Sequence, residues 1–86
     1  MLGDTIPTVE TILTSLNQLP VQVSRSVKSR YKKYLVEKII QLERGDNHQF
    51  QLYLRRDEKQ LEIVFGKSGK EISKVKIPTE TYLTRR

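Results

Sequence analysis

Phe50-Gln51-Leu52-Tyr53-Leu54-Arg55 and, one polar turn later, Gln60-Leu61-Glu62-Ile63-Val64-Phe65 decide how this chain folds. Phe50, Leu52 and Leu54 alternate with Gln49, Gln51, Tyr53 and Arg55, as a strand with one buried face requires. Leu61, Ile63 and Phe65 alternate with Gln60, Glu62 and Val64, so Arg56-Asp57-Glu58-Lys59 closes a hairpin whose two strands share their faces. Working outward, Leu35 to Glu43 holds the β-branched pair Ile39-Ile40 and ends at the turn residues Gly45-Asp46-Asn47, which reads as a preceding strand. On the other side Lys67-Ser68-Gly69-Lys70 predicts a further hairpin, with Gly69 as its positive-φ residue. Ile72, Val75 and Ile77 then change parity, which fits a bulged or edge strand, and Lys70, Lys74 and Lys76 fit an edge guarded by charge. Pro78 ends that strand, and 79–86 reads as a tail that Tyr82 and Leu83 could dock.

Upstream, the spacing suggests helices. Val9, Ile12, Leu13 and Leu16 repeat as i, i+3, i+4, i+7, with Thr8 as N-cap and Pro7 ahead of it. Asn17-Gln18-Leu19-Pro20 interrupts, and a second helix begins near Pro20, with Val23, Val27, Tyr31 and Tyr34 on one side. The expected fold class is α+β: two N-terminal helices packed on one face of a four-stranded antiparallel β-meander. Its organisation is an N-terminal extension at 1–6, a single domain over 7–78 and a C-terminal tail at 79–86.

Composition limits the chemistry. At 86 residues the chain has room for one modest core, and its 36% apolar content suits elements that bury a single face. It has no cysteine and one histidine, which excludes a disulfide framework and a thiolate metal site. No run approaches the ~18 apolar residues of a membrane span. Met1-Leu2-Gly3-Asp4 lacks the regions of a signal peptide, so the expected location is cytoplasmic unless a leader has been removed. The net charge of +6 is uneven: 1–19 carry −2, 20–34 carry +5, 35–65 carry −1 and 66–86 carry +4.

Leu19-Pro20, Val23, Val27 and Tyr31, Val36-Glu37-Lys38-Ile39, Phe50-Gln51-Leu52-Tyr53-Leu54, Leu61-Glu62-Ile63-Val64-Phe65 and Gly69-Lys70-Glu71-Ile72 together resemble the PepSY-like domains, related in fold to the beta-lactamase inhibitor protein. The resemblance covers roughly residues 19–75. It implies helices on one face of a four-stranded sheet, a bacterial secreted or periplasmic setting, and a role in binding or inhibiting another protein. Members often carry two such units in tandem, whereas this chain has one, so a homodimer or a second half would be needed to imitate a two-unit surface.

Catalytic readings do not hold. Gly66-Lys67-Ser68 looks like the end of a phosphate-binding loop, but Leu61 occupies the position of its first glycine. His48 beside a turn has no evident partner for acid–base work, and no nucleophile and base pairing stands out. Asp57, Glu58 and Glu62 sit among Arg55, Arg56 and Lys59 without the spacing of a calcium loop. The chain reads as non-catalytic, without a metal or cofactor. On strand parity the sheet face away from the helices displays Gln51, Tyr53, Arg55, Gln60, Glu62 and Val64, and Gln51, Tyr53, Arg55, Glu62 and Val64 are the candidate partner-binding residues. Tyrosine and arginine are enriched at binding hot spots because each combines contact area with directed hydrogen bonds. A protein partner, a second copy of the chain included, suits this face. The alternative is nucleic acid or another anionic surface, bound through Arg25, Lys28, Arg30, Lys32 and Lys33. Nucleic acid ranks lower, because Phe50 and Phe65, the aromatics able to stack on bases, are assigned inward.

Overall fold

The computed structural model describes residues 6–77, and the tail assigned to 79–86, with Pro78, Tyr82 and Leu83, lies outside them. Five strands form one antiparallel sheet in sequential order: β1 (Val9–Leu13), β2 (Leu35–Arg44), β3 (Asn47–Arg56), β4 (Lys59–Gly66) and β5 (Glu71–Ile77). Among the described residues a single α-helix, α1 (Val21–Arg30), lies in the connection between β1 and β2. The expected pair of helices on a four-stranded meander is therefore corrected to one helix on five strands.

The correction falls on Val9–Leu13. These residues pair with β2, Val9 opposite Glu43 and Leu13 opposite Ile39. A helical stripe would bury Val9 and Ile12 together, yet they are 52% and 65% exposed. Three of the five residues, Val9, Thr11 and Ile12, are β-branched, and the strand form lets Leu13 turn inward while Ile12 turns outward. A short 3-10 turn at Leu16–Gln18 stops the strand. There Gln18 Oε1 accepts from the Thr14 and Ser15 N–H groups at 2.7 and 3.0 Å, and Ser15 Oγ accepts from Asn17 N–H at 3.1 Å. This capping box satisfies backbone donors that the turn leaves unpaired.

Pro20 is the N-cap of α1, which ends at Arg30 rather than continuing to Tyr34. The helix lays Val23 and Val27 on the sheet, followed by Tyr31. Opposite them stand Ile39 of β2, Phe50, Leu52 and Leu54 of β3, and Leu61, Ile63 and Phe65 of β4, with Leu13, Leu16, Tyr34 and Val36 around the margin. Register matches these faces: Phe50 is paired with Phe65, Leu52 with Ile63 and Leu54 with Leu61. Each fully buried aliphatic side chain contributes about 1.5–3 kcal/mol, so this one-sided core is the main source of stability.

Helix α1 comes close to the backbone of the β4–β5 turn. Gly69 sits at φ +90, and a Cβ added to it would lie 2.8 Å from the carbonyl oxygen of Gln22. Ser26 Oγ donates to Gly69 O at 3.1 Å. Glycine is required there for its backbone and for the missing side chain alike.

Candidate functional site

The other face of the sheet carries no helix among the described residues. Gln51 pairs with Val64, Tyr53 with Glu62 and Arg55 with Gln60. The five candidate residues Gln51, Tyr53, Arg55, Glu62 and Val64 thus stand side by side on the middle strands, turned away from the core. Gln51 Nε2 donates to Glu62 Oε2, tying one row of the face to the next.

Register extends the face to both sides. Ile12 lies beside Ile40, which lies beside Gln51, while Lys38 lies beside Tyr53 and Leu35 beside Arg55. Across β4, Val75 pairs with Glu62 and Ile77 with Gln60. Ile72 belongs here too, because a register shift in β5 leaves it unpaired and its Cδ1 would stand 3.5 Å from a Cβ on Gly66. Four large apolar side chains on this one face are half or more exposed: Ile12, Leu35, Ile72 and Val75. Ile40 is only 8% exposed although no helix covers it, since it is flanked by Ile12 and Gln51.

A second register shift, between Val36 and Lys38, places Glu37 on the same face. Arg55 Nε donates to Glu37 Oε2 at 2.8 Å, and Gln60 Nε2 donates to Glu37 Oε1 at 3.1 Å. A half-exposed ion pair of this kind adds at most about 1 kcal/mol to stability, but it holds the Arg55 fork in one orientation. Sequence parity placed the polar centre of the face and missed Glu37 and its apolar border. Glu37 and the Ile72 part of the border depend on bulges, whose one trace in the sequence is the broken alternation of Ile72, Val75 and Ile77, and the Ile12 part depends on β1 being a strand.

Among the candidate basic residues, Lys28 and Lys32 line one cleft with Val27, Tyr31 and Tyr34. Arg25 and Lys28 share the exposed side of α1 with Val21, Ser24 and Ser29. Lys32 and Lys33 follow in the turn after the helix. Arg30 turns aside to Glu71, with Nη1 3.5 Å from Oε1. Tyr31 donates its hydroxyl to the same Glu71 oxygen at 2.7 Å, and Lys74 Nζ lies 5.5 Å from the centre of the Tyr31 ring. Burial first, then the Glu71 carboxylate as hydrogen-bond partner and negative charge, push the Tyr31 hydroxyl up to about 12. Tyr34 packs edge-on to Tyr31 at 5.7 Å, with Arg56 over its own ring at 6.0 Å. These contacts fasten the end of α1 to β3 and β5.

His48 stands opposite Glu43, with Nδ1 3.3 Å from Oε2, an oxygen that also accepts from Gln41. Among the described residues no group of three or more histidine or carboxylate side chains could hold a metal ion, and no helix is long and apolar enough to cross a membrane.

No family model matches the chain, and no curated protein is similar to it in sequence. Solved structures are similar in fold. A DUF2874 family protein from Bacteroides uniformis aligns over 80% of this chain with a TM-score of 0.75 at 12% identity. A DUF2874 family protein from Bacteroides ovatus aligns over 80% with a TM-score of 0.74 at 16% identity. A protein from Bacteroides eggerthii, described as one of the "putative periplasmic proteins", aligns over 87% with a TM-score of 0.77 at 12% identity. The chain covers 53%, 52% and 58% of these three proteins, about half of their length. The likeness is one of fold, shared with bacterial proteins.

Proposed function

We propose that this chain is a non-catalytic, protein-binding module of the PepSY-like, inhibitor-like kind, which meets its partner through the exposed face or edge of its sheet. The observation that carries the reading is the makeup of that face. Tyr53, Gln51, Glu62 and Val64 form a half-buried centre, Arg55 is held in place by Glu37, and Ile12, Leu35, Ile72 and Val75 form an exposed apolar border. An aromatic and an oriented guanidinium within an apolar rim give contact area and direction together, and side chains already held by the sheet lose little entropy on binding. The family resemblance supports a protein as the partner. Together with the neighbour described as periplasmic, it supports a periplasmic or secreted location.

The test uses the whole chain immobilised, with partners recovered from a bacterial envelope extract and titrated back as purified proteins. Tyr53→Ala and Arg55→Ala should each weaken a saturable interaction about tenfold or more. A paired Arg25→Ala and Lys28→Ala change should leave it intact, and affinity should vary little with salt. An interaction that ignores Tyr53, disappears with the helix cations and falls steeply with salt would reverse the assignment in favour of an anionic partner.

A further inference from the structure

The two edges of the sheet differ. β5 is a guarded edge: Lys74 and Lys76 lie on it, Lys70 precedes it, and a register shift bends it. β1 has none of these devices. Its sequence Val9-Glu10-Thr11-Ile12-Leu13 holds one charge, no lysine, no proline and three β-branched residues, and it pairs with β2 without a shift. Glu10, Thr11 and Ile12 are exposed, and among the described residues no strand pairs with the far side of β1. The N–H and C=O groups on that side point away from β2 and suit another strand.

We infer that β1 is a docking edge for a second copy of this chain, joined antiparallel about a two-fold axis at Thr11 so that two five-stranded sheets run on as one. The register uses the whole strand. Thr11 meets the partner's Thr11, Glu10 the partner's Ile12, and Val9 the partner's Leu13, with each pair on one face. The single charge of the strand is never set against its like, and threonine pairs and paired apolar side chains are both favourable across antiparallel strands. The same operation on β5 about Lys74 would set two lysines face to face. A two-fold contact of this kind closes at two copies, whereas β1 joined to β5 would continue without limit. This inference rests on the reading of the sheet as the binding element and assigns its β1 edge to a second copy of the chain.

The chain has no cysteine, so one introduced thiol reports the contact cleanly. Directly opposed residues in an antiparallel pair have Cα atoms about 4.5–5.5 Å apart, inside the disulfide range. Thr11→Cys in the 86-residue chain should oxidise to a covalent dimer about tenfold or more faster than Lys74→Cys on β5 or Lys28→Cys on the helix, because pairing raises the local thiol concentration. Light scattering of the unaltered chain should show a dimer that dissociates on dilution and persists in high salt. Thr11→Lys, with a native circular dichroism spectrum, should be monomeric at concentrations where the unaltered chain is paired. Equal oxidation of the three thiols, a monomer throughout the series or growth past two copies would each overturn the inference. Tyr53→Ala should leave the dimer intact, and a dimer abolished by that change would move self-association to the sheet face, ending the β1 assignment while leaving the face reading in place.

Discussion

Replacing Gly69 with alanine tests the close approach on which the helix-to-sheet packing depends. The added Cβ would lie 2.8 Å from Gln22 O and 3.0 Å from the Gln22 carbonyl carbon and Cβ, in a backbone already at φ +90. The left-handed backbone alone costs an alanine about 1–2 kcal/mol. Relieving the contact requires the first turn of α1 to lift, which disturbs Val23 and the Ser26 bond to Gly69 and adds about 1–3 kcal/mol as in overpacked cores. Gly69→Ala should therefore lose about 2–5 kcal/mol, a fall in Tm of about 10 °C or more for a domain of this size. Two other glycines separate the contributions. Gly45 shares the positive φ, at +61, but a Cβ there meets Ile6 Cδ1 at 3.6 Å and Cγ2 at 3.9 Å, ordinary van der Waals contacts, so its alanine variant should lose the backbone share alone, about 1–2 kcal/mol. Gly66 has neither problem, with Ile72 Cδ1 at 3.5 Å, and its alanine variant should stay within about 0.5 kcal/mol of the parent. Guanidinium unfolding followed by far-ultraviolet circular dichroism gives all three values, the chain having no tryptophan for fluorescence. Equal losses at Gly69 and Gly45, within about 0.5 kcal/mol, would refute the claim that α1 rests against this turn.

The Tyr31 hydroxyl, pushed up to about 12 from an ordinary 10, makes stability depend on alkaline pH. The unfolded chain loses this proton first, so the contribution is complete below pH 10 and declines as pH rises toward 12, by up to about 3 kcal/mol. Tyrosinate absorbance should show a late-titrating component that Tyr31→Phe removes, and the variant should flatten the alkaline decline and cost about 1–2 kcal/mol at neutral pH. Asp57, at φ 56 in the β3–β4 turn, should gain about 0.5–1 kcal/mol on replacement by glycine, read as a higher denaturant midpoint with an unchanged slope. Leu52→Ala, at a site with no solvent exposure, should cost about 2–5 kcal/mol, whereas Ile12→Thr at 65% exposure should change the free energy of unfolding at low protein concentration by under about 0.5 kcal/mol.

The hairpins at Gly45, Asp57 and Gly69 were legible in the sequence because turn chemistry and alternation are local signals: each turn contains a residue able to take positive φ, and each flanking strand repeats with period two. The shared outward side of Gln51, Tyr53, Arg55, Glu62 and Val64 followed from that alternation and from matched hairpin register. Val9–Leu13 was not legible in the same way. Five residues can satisfy a helical and an extended pattern alike, and what decided between them was the free side of β2, far along the chain. A clue lay in Ile39-Ile40, two adjacent apolar residues that must face opposite sides of the sheet. Ile39 goes under the helix, and Ile40 is shielded by having a strand on each side of it. A strand that buries residues on both faces belongs in the interior of a sheet, and β2 as the edge of a four-stranded meander would have left Ile40 without one of its flanking neighbours.

The strand form of Val9–Leu13 changes what the N-terminal segment contributes to function. Read as a helix, Val9, Ile12 and Leu13 would thicken the covered side of the domain and leave the opposite face to Gln51, Tyr53 and Glu62 alone. As β1 they widen that face by one strand and bring Ile12 to its margin, so that apolar residues border the polar centre on the β1 side as Ile72 and Val75 do on the β5 side. They also move that edge of the sheet from β2, which carries Glu37, Lys38, Glu43 and Arg44, to a strand whose single charge is Glu10. The same five residues therefore set the breadth of the proposed binding face and the edge at which a second chain would join it. A substitution at Thr11 reports on the edge and one at Tyr53 on the face, because the two positions lie on opposite sides of the sheet, with β2 between their strands.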